Sequence, residues 1–106
     1  KGIDRLNLIK KTIEKFGRLD YLVCNAAVST QMGSFMEANM DAVMKMWDIN
    51  YHCVYKLIDS AYLSTLAKKR SIVILSSYAG YELPGVIGHY SITKTALLAL
   101  NKMLAK

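Results

Sequence analysis

Ser71-Ile72-Val73-Ile74-Leu75-Ser76-Ser77 is the stretch on which the fold turns. It is a run of apolar side chains, three of them β-branched, with no polar residue alternating between them. That pattern predicts a strand buried on both faces of a parallel sheet. Two hydroxyl residues end it. Upstream, Leu19-Asp20-Tyr21-Leu22-Val23-Cys24 has the same bulky character and runs into a small-residue turn, Asn25-Ala26-Ala27. This is a second strand. Between the two, Met40, Val43, Trp47, Val54, Leu57, Ile58 and Ala61 recur at helical spacing, predicting a helix from about Met40 to Leu66 that Asn50 interrupts.

The outer segments complete the alternation. Ile3, Leu6, Ile9, Ile13 and Phe16 form one stripe, with Lys10, Lys11, Glu14 and Lys15 opposite, so the chain begins with an amphipathic helix. Gly17 follows where a C-terminal cap is wanted. Residues Val28 to Asn39 carry no steady period and are expected to be loop. Ser76 to Gly88, with three glycines and the single proline, Pro84, is also expected to be loop. His89 to Lys106 makes the last helix, apolar over much of its circumference. The order helix, strand, helix, strand, helix predicts an α/β fold with parallel strands and three main helices. A two-stranded sheet leaves edges and faces to cover. The 106 residues are therefore expected to be a single partial domain, one piece of a larger doubly wound sheet.

Composition narrows the function. Hydrophobic residues make up 53% of the chain, which predicts a packed core and not disorder. The first residue is Lys1, no positively flanked apolar leader follows, and the runs Ile72 to Leu75 and Ala96 to Leu100 are far too short to span a bilayer. Cys24 and Cys53 form no metal-type pair, and His52 and His89 stand at no zinc-ligand spacing, so reduced thiols in an intracellular compartment and no metal site are expected. The net charge of +6 does not point to nucleic acid. The cations fall on helix surfaces and at one helix end, Lys68-Lys69-Arg70, with no basic stripe interleaved by aromatics.

The chemistry gathers after the strands. In open α/β sheets, ligands bind beyond the carboxyl ends of the strands. Asn25 follows the first strand, and Ser76 and Ser77 follow the second. Tyr90 and Lys94 stand four apart at the start of the last helix, on one face. Of seven tyrosines, Tyr90 alone has a lysine four residues on. A free phenol titrates near 10, and an ammonium beside it favours the phenolate. Such a phenol can exchange a proton with an alcohol or carbonyl. A serine hydroxyl nearby could hold the same oxygen in place. No side chain donates hydride, so that must come from a nicotinamide cofactor.

These motifs resemble the short-chain dehydrogenase/reductase family. Leu22-Val23-Cys24-Asn25-Ala26-Ala27-Val28 is similar to its Asn-Asn-Ala-Gly segment. Trp47-Asp48-Ile49-Asn50 resembles the helix carrying its active-site asparagine. Ile72 to Ser77 followed by Tyr90-Ser91-Ile92-Thr93-Lys94 resembles its Ser and Tyr-x-x-x-Lys elements, with Ser77 and Tyr90 thirteen apart. The run from Tyr90 to Ala105 is most similar to the carbonyl reductase/retinol dehydrogenase group. The resemblance implies a Rossmann-like sheet and hydride transfer between NADP, or NAD, and a small carbonyl/alcohol substrate of apolar character. It implies that Tyr90 is the general acid/base and that Lys94 lowers its pKa and binds the nicotinamide ribose. Ser77 would orient the substrate oxygen, Asn50 would hold a water that relays protons, and Asn25, Ala26 and Ala27 would line the groove near the adenosine ribose. A homo-oligomer is implied for the complete protein, paired through the helices from Met40 and from His89. Cytoplasm, peroxisome and mitochondrion all suit it.

The chain departs from the family pattern in three ways. Cys24 stands where the family's first Asn usually stands. Ala27 replaces the usual Gly. The Gly-x-x-x-Gly-x-Gly turn that holds the dinucleotide occurs nowhere among the six glycines. The alternative reading is a non-catalytic fragment or pseudoenzyme scaffold, and the 106 residues alone are expected not to turn over substrate. Ser76 is expected to be structural. Met36, Met40, Met44 and Met46 are expected to fill core, or else to form a soft substrate wall. Tyr78, Leu83, Val86 and Ile87 could floor an apolar pocket or pack their own loop.

Overall fold

The N–H of Gly17 donates to the Ile13 carbonyl at 2.7 Å while Gly17 takes a φ of +79°, a conformation glycine adopts without strain. That turn ends α1 (Gly2–Phe16) and releases the chain into β1 (Tyr21–Cys24). The computed structural model describes residues 2–30, 32–62, 71–82 and 87–106, without the side chains of Gly2 and Ile3. They fall into two compact units, residues 2–24 with 54–62 and 71–73, and residues 25–30 and 32–53 with 74–82 and 87–106.

The first unit holds α1, β1, most of α3 (Cys53–Ala61) and β2 (Ser71–Ile74). β1 and β2 are neighbours in a parallel two-stranded sheet, and the Ser71 N–H donates to the Asp20 carbonyl at 3.1 Å where they meet. Leu22 and Cys24 are buried, whereas Tyr21 and Val23 are exposed. Along β2, Ile72 and Ile74 are half-buried and Ser71 and Val73 exposed. The expectation of a strand buried on both faces is thus corrected. Successive side chains point to opposite sides, and only one side is covered here. In α1, Ile9 is buried, yet Leu6 and Phe16 of the same stripe are exposed. Val54, Ile58 and Ala61 give α3 a buried stripe. The predicted continuation of that helix to Leu66, and Lys68-Lys69-Arg70, lie outside the described residues.

The second unit holds a 3-10 turn (Phe35–Glu37), α2 (Met40–Trp47), a π-helical turn (Asp48–His52), α4 (Ala79–Glu82) and α5 (Gly88–Leu104). Asn39 caps α2, its side-chain oxygen accepting the N–H groups of Asp41 and Ala42 at 2.9 and 3.2 Å. α2 and the π turn pack on α5. Val43, Met46, Leu97 and Leu100 are buried. Met46 is core, but Met36, Met40 and Met44 are exposed, so for these three the core reading is corrected and the alternative of a soft wall is left. The loop expected from Ser76 to Gly88 contains α4, whose four residues are too few to show a period. Leu83, Pro84 and Val86 lie outside the described residues. Among those described, no helix is long and apolar enough to cross a membrane.

Candidate active site

Asn50 interrupts its helix because it occupies the middle of the π turn, where the Cys53 N–H reaches back five residues to the Asp48 carbonyl. The extra residue in such a turn shifts the side chains around it. Asn50 is fully buried as a result. Its oxygen accepts the Val28 N–H at 2.8 Å, and its amide donates to the Val28 carbonyl at 2.8 Å and to the Thr93 hydroxyl at 3.0 Å. Both amide hydrogens are therefore spent, and the side chain has none to offer a water. Val28 directly follows Asn25, Ala26 and Ala27, all three of them exposed in the turn after β1.

α5 carries the other candidates. Lys94 is only 3% exposed, an unusual burial for a lysine. Its ammonium donates to the Leu75 carbonyl at 3.2 Å and lies 5.7 Å from the centre of the Tyr90 ring, one helical turn earlier. Burial pushes the Lys94 pKa below its ordinary value of 10.5. Tyr90 itself is half-buried. The turn after β2 is fastened to the same helix, for the Ser76 hydroxyl donates to the Lys94 carbonyl at 2.8 Å. Ser76 thus has a structural bond, as expected of it. Ser77 caps α4, accepting the Ala79 N–H at 3.1 Å, and its own hydroxyl hydrogen remains to be given.

Packing explains why these groups stay put. A Cβ on Gly80 would meet the Lys94 carbonyl carbon and the Thr95 nitrogen at 3.2 Å, so α4 lies against α5 backbone to backbone. The Thr95 hydroxyl also bonds the Gly80 carbonyl. At the start of α5, the His89 ring stacks on Phe35 with centres 4.1 Å apart, and its Nε2 lies 3.1 Å from the Phe35 carbonyl oxygen. A Cβ on Gly88 would strike the Phe35 ring at 2.7 Å. Tyr78 is exposed, and Ile87 half-buried.

Of the residues singled out in the sequence, Tyr90 and Lys94 stand side by side. Asn50 joins them through Thr93, whose hydroxyl donates to the Tyr90 carbonyl at 2.6 Å. Ser77 is one residue from the Ser76–Lys94 bond, and Asn25 to Ala27 connect through Val28. Thr93, Gly80 and Thr95 were not foreseen. A hydroxyl or small residue on a helix gives no period and no motif by which to find it. Lys94 has spent one of three N–H bonds, and small exposed residues lie after β1. Both features suit the ribose hydroxyls of a dinucleotide. The buried, desolvated Cys24 thiol, its pKa raised, is no nucleophile.

The chain is similar to known proteins over nearly its whole length. Residues 4–106 match a family model described as enoyl-(acyl carrier protein) reductase. The chain is 38% identical over 102 residues to tropinone reductase-like 3 of Erythroxylum coca, covering 96% of this chain and 39% of that protein. It is 38% identical over 107 residues to dehydrogenase/reductase SDR family member 4 of Bos taurus, covering 99% of this chain and 38% of the relative. The chain thus spans about two fifths of the length of the curated relatives it matches. Among solved structures, a glucose/ribitol-type short-chain dehydrogenase of Brucella melitensis superposes with a TM-score of 0.88 at 29% identity, over 99% of this chain and 44% of the other. Carveol dehydrogenase of Mycobacterium avium, solved in complex with NAD, superposes at 0.87 with 26% identity, over 94% and 37%. The partial sheet is therefore of Rossmann type. With its motifs in order and a family model matched over nearly its whole length, the chain belongs to the short-chain dehydrogenase/reductase family.

Proposed function

We propose that these residues form the proton-transfer centre of an oxidoreductase that interconverts a small, apolar carbonyl compound and its alcohol. NADP is the cofactor we assign, with NAD the alternative. The reading is carried by the Lys94 ammonium, buried, tied to the Leu75 carbonyl and 5.7 Å from the Tyr90 ring centre. A bound nicotinamide would supply the hydride. Tyr90 gives its phenol proton to the carbonyl oxygen in reduction and takes it back in oxidation. Lys94 stabilises charge developing on that phenol and offers its remaining N–H bonds to ribose hydroxyls. Ser77 directs its hydroxyl hydrogen to the substrate oxygen. Asn25, Ala26 and Ala27 line the adenosine side of the groove. Asn50 serves the proton relay through atoms other than its amide hydrogens. The complete protein is read as an intracellular homo-oligomer.

The test is Tyr90→Phe in the full-length protein, with NADPH oxidation followed against 4-nitrobenzaldehyde as a carbonyl probe. The rate should fall by about 10²–10⁴-fold, the usual worth of a positioned acid/base, while NADPH binding persists. Full activity in Tyr90→Phe overturns the assignment. Absence of both nucleotide binding and turnover in the unaltered protein would favour the scaffold reading instead.

A further inference from the structure

The buried polar groups of α5 form a chain of bonds that leads away from Tyr90. Thr93 is fully buried, and its single hydroxyl hydrogen goes to the Tyr90 carbonyl at 2.6 Å. The oxygen of that hydroxyl therefore faces Asn50 as an acceptor, 3.0 Å from the amide nitrogen. This agrees with the way round that Val28 sets for the Asn50 amide. With its nitrogen toward Thr93, its oxygen meets the Val28 N–H, and its second amide hydrogen meets the Val28 carbonyl. The opposite orientation would set Asn50 oxygen against Thr93 oxygen with no hydrogen between them. It would also set oxygen against the Val28 carbonyl and nitrogen against its N–H. Every polar group of the relay is satisfied in one arrangement only.

We propose that Thr93 is a positioning residue, which anchors the Asn50 amide, already oriented by Val28, to α5 and thereby ties the segment after Asn25-Ala26-Ala27 to the helical turn carrying Tyr90 and Lys94. Its methyl group fills space, but its hydroxyl does the anchoring. The bonds on both sides of the Val28 peptide hold that peptide at two points. Loosening them lets the cofactor-side turn and the proton donor drift relative to each other. The inference rests on the reading of Tyr90 as acid/base for its kinetic consequence, but not for its structural one.

The experiment compares Thr93→Val, Thr93→Ser and Tyr90→Phe in the full-length protein, using NADPH and 4-nitrobenzaldehyde. Thr93→Val keeps the shape and loses the hydroxyl. It should lower kcat roughly ten-fold, as misplacement of a reacting group does, with KM for the aldehyde changed by less than about two-fold if ground-state binding is spared. Thr93→Ser, which restores the hydroxyl, should recover most of kcat. Equal impairment in Thr93→Ser, or an unimpaired Thr93→Val, overturns the proposal. A second readout needs no turnover and no variant that folds. In NMR spectra of the unaltered protein, both Asn50 side-chain amide hydrogens should exchange slowly with solvent, and rapid exchange overturns the relay. If Tyr90→Phe stays fully active while those hydrogens are protected, the acid/base reading fails and the relay stands.

Discussion

α1 and α5, the two long helices of the described chain, bury opposite kinds of side chain. In α1 the apolar stripe is half open, with Leu6 at 58% and Phe16 at 68% exposure and Ile9 covered. In α5 it is polar groups that are sealed, Ser91 and Thr93 completely and Lys94 to 3% exposure, beside Leu97 and Leu100. An exposed leucine is common on protein surfaces, whereas a buried lysine must be held by bonds. Each of these α5 groups has such a bond, to the carbonyls of Ile87, Tyr90 and Leu75 respectively. Hydrophobic pattern therefore marks which helices exist, and buried polarity marks which of them has chemistry to position.

The contrast can be sharpened by truncation. Leu97, 1% exposed, should cost about 2–5 kcal/mol of stability when changed to alanine, as buried leucines do. Urea unfolding monitored by circular dichroism measures it, and a cost below that of an ordinary surface change would mean that α5 is not core. Lys94 supplies a smaller effect that depends on pH. Burial depresses its folded-state pKa, so between that lowered value and 10.5 the unfolded chain holds more protons than the folded one. Stability from this group must then rise with pH across that window, and the penalty is full below it. Lys94→Met should abolish that alkaline rise in a series of urea midpoints. An unchanged rise would assign it to another group. The smallest effect is expected in α1, where Leu6→Gln should shift stability by no more than about 0.5 kcal/mol. A larger loss would show that the exposed stripe is covered in solution.

Much of this architecture was legible in local pattern. The run Ile72 to Ile74 made a strand, Gly17 ended α1, and the break at Asn50 proved to be a π turn. What failed were inferences about cover. Met36, Met40 and Met44 look like core in a list of residues yet lie exposed, because a thioether's place depends on which helix face meets a neighbour. α4 escaped notice since its cap, Ser77, and its glycine, Gly80, are typical of loops as well. For the candidate site, Tyr90, Lys94, Asn50 and Ser77 could be named from motif order. Thr93 could not, since nothing in a threonine on a helix says that its hydroxyl meets an amide forty-three residues away.

By itself the sequence determined the alternation of helices and strands, the spacing that sets Lys94 one turn after Tyr90, and membership of a family. These are local quantities, set by residue size, backbone freedom and the 3.6-residue turn. Only the tertiary structure decided that Lys94 is desolvated and bonded to Leu75, that the amide hydrogens of Asn50 are spent on Val28 and Thr93, and that α4 presses on α5 at Gly80. Burial and hydrogen bonding depend on partners distant along the chain, and no local pattern encodes which partner will be there.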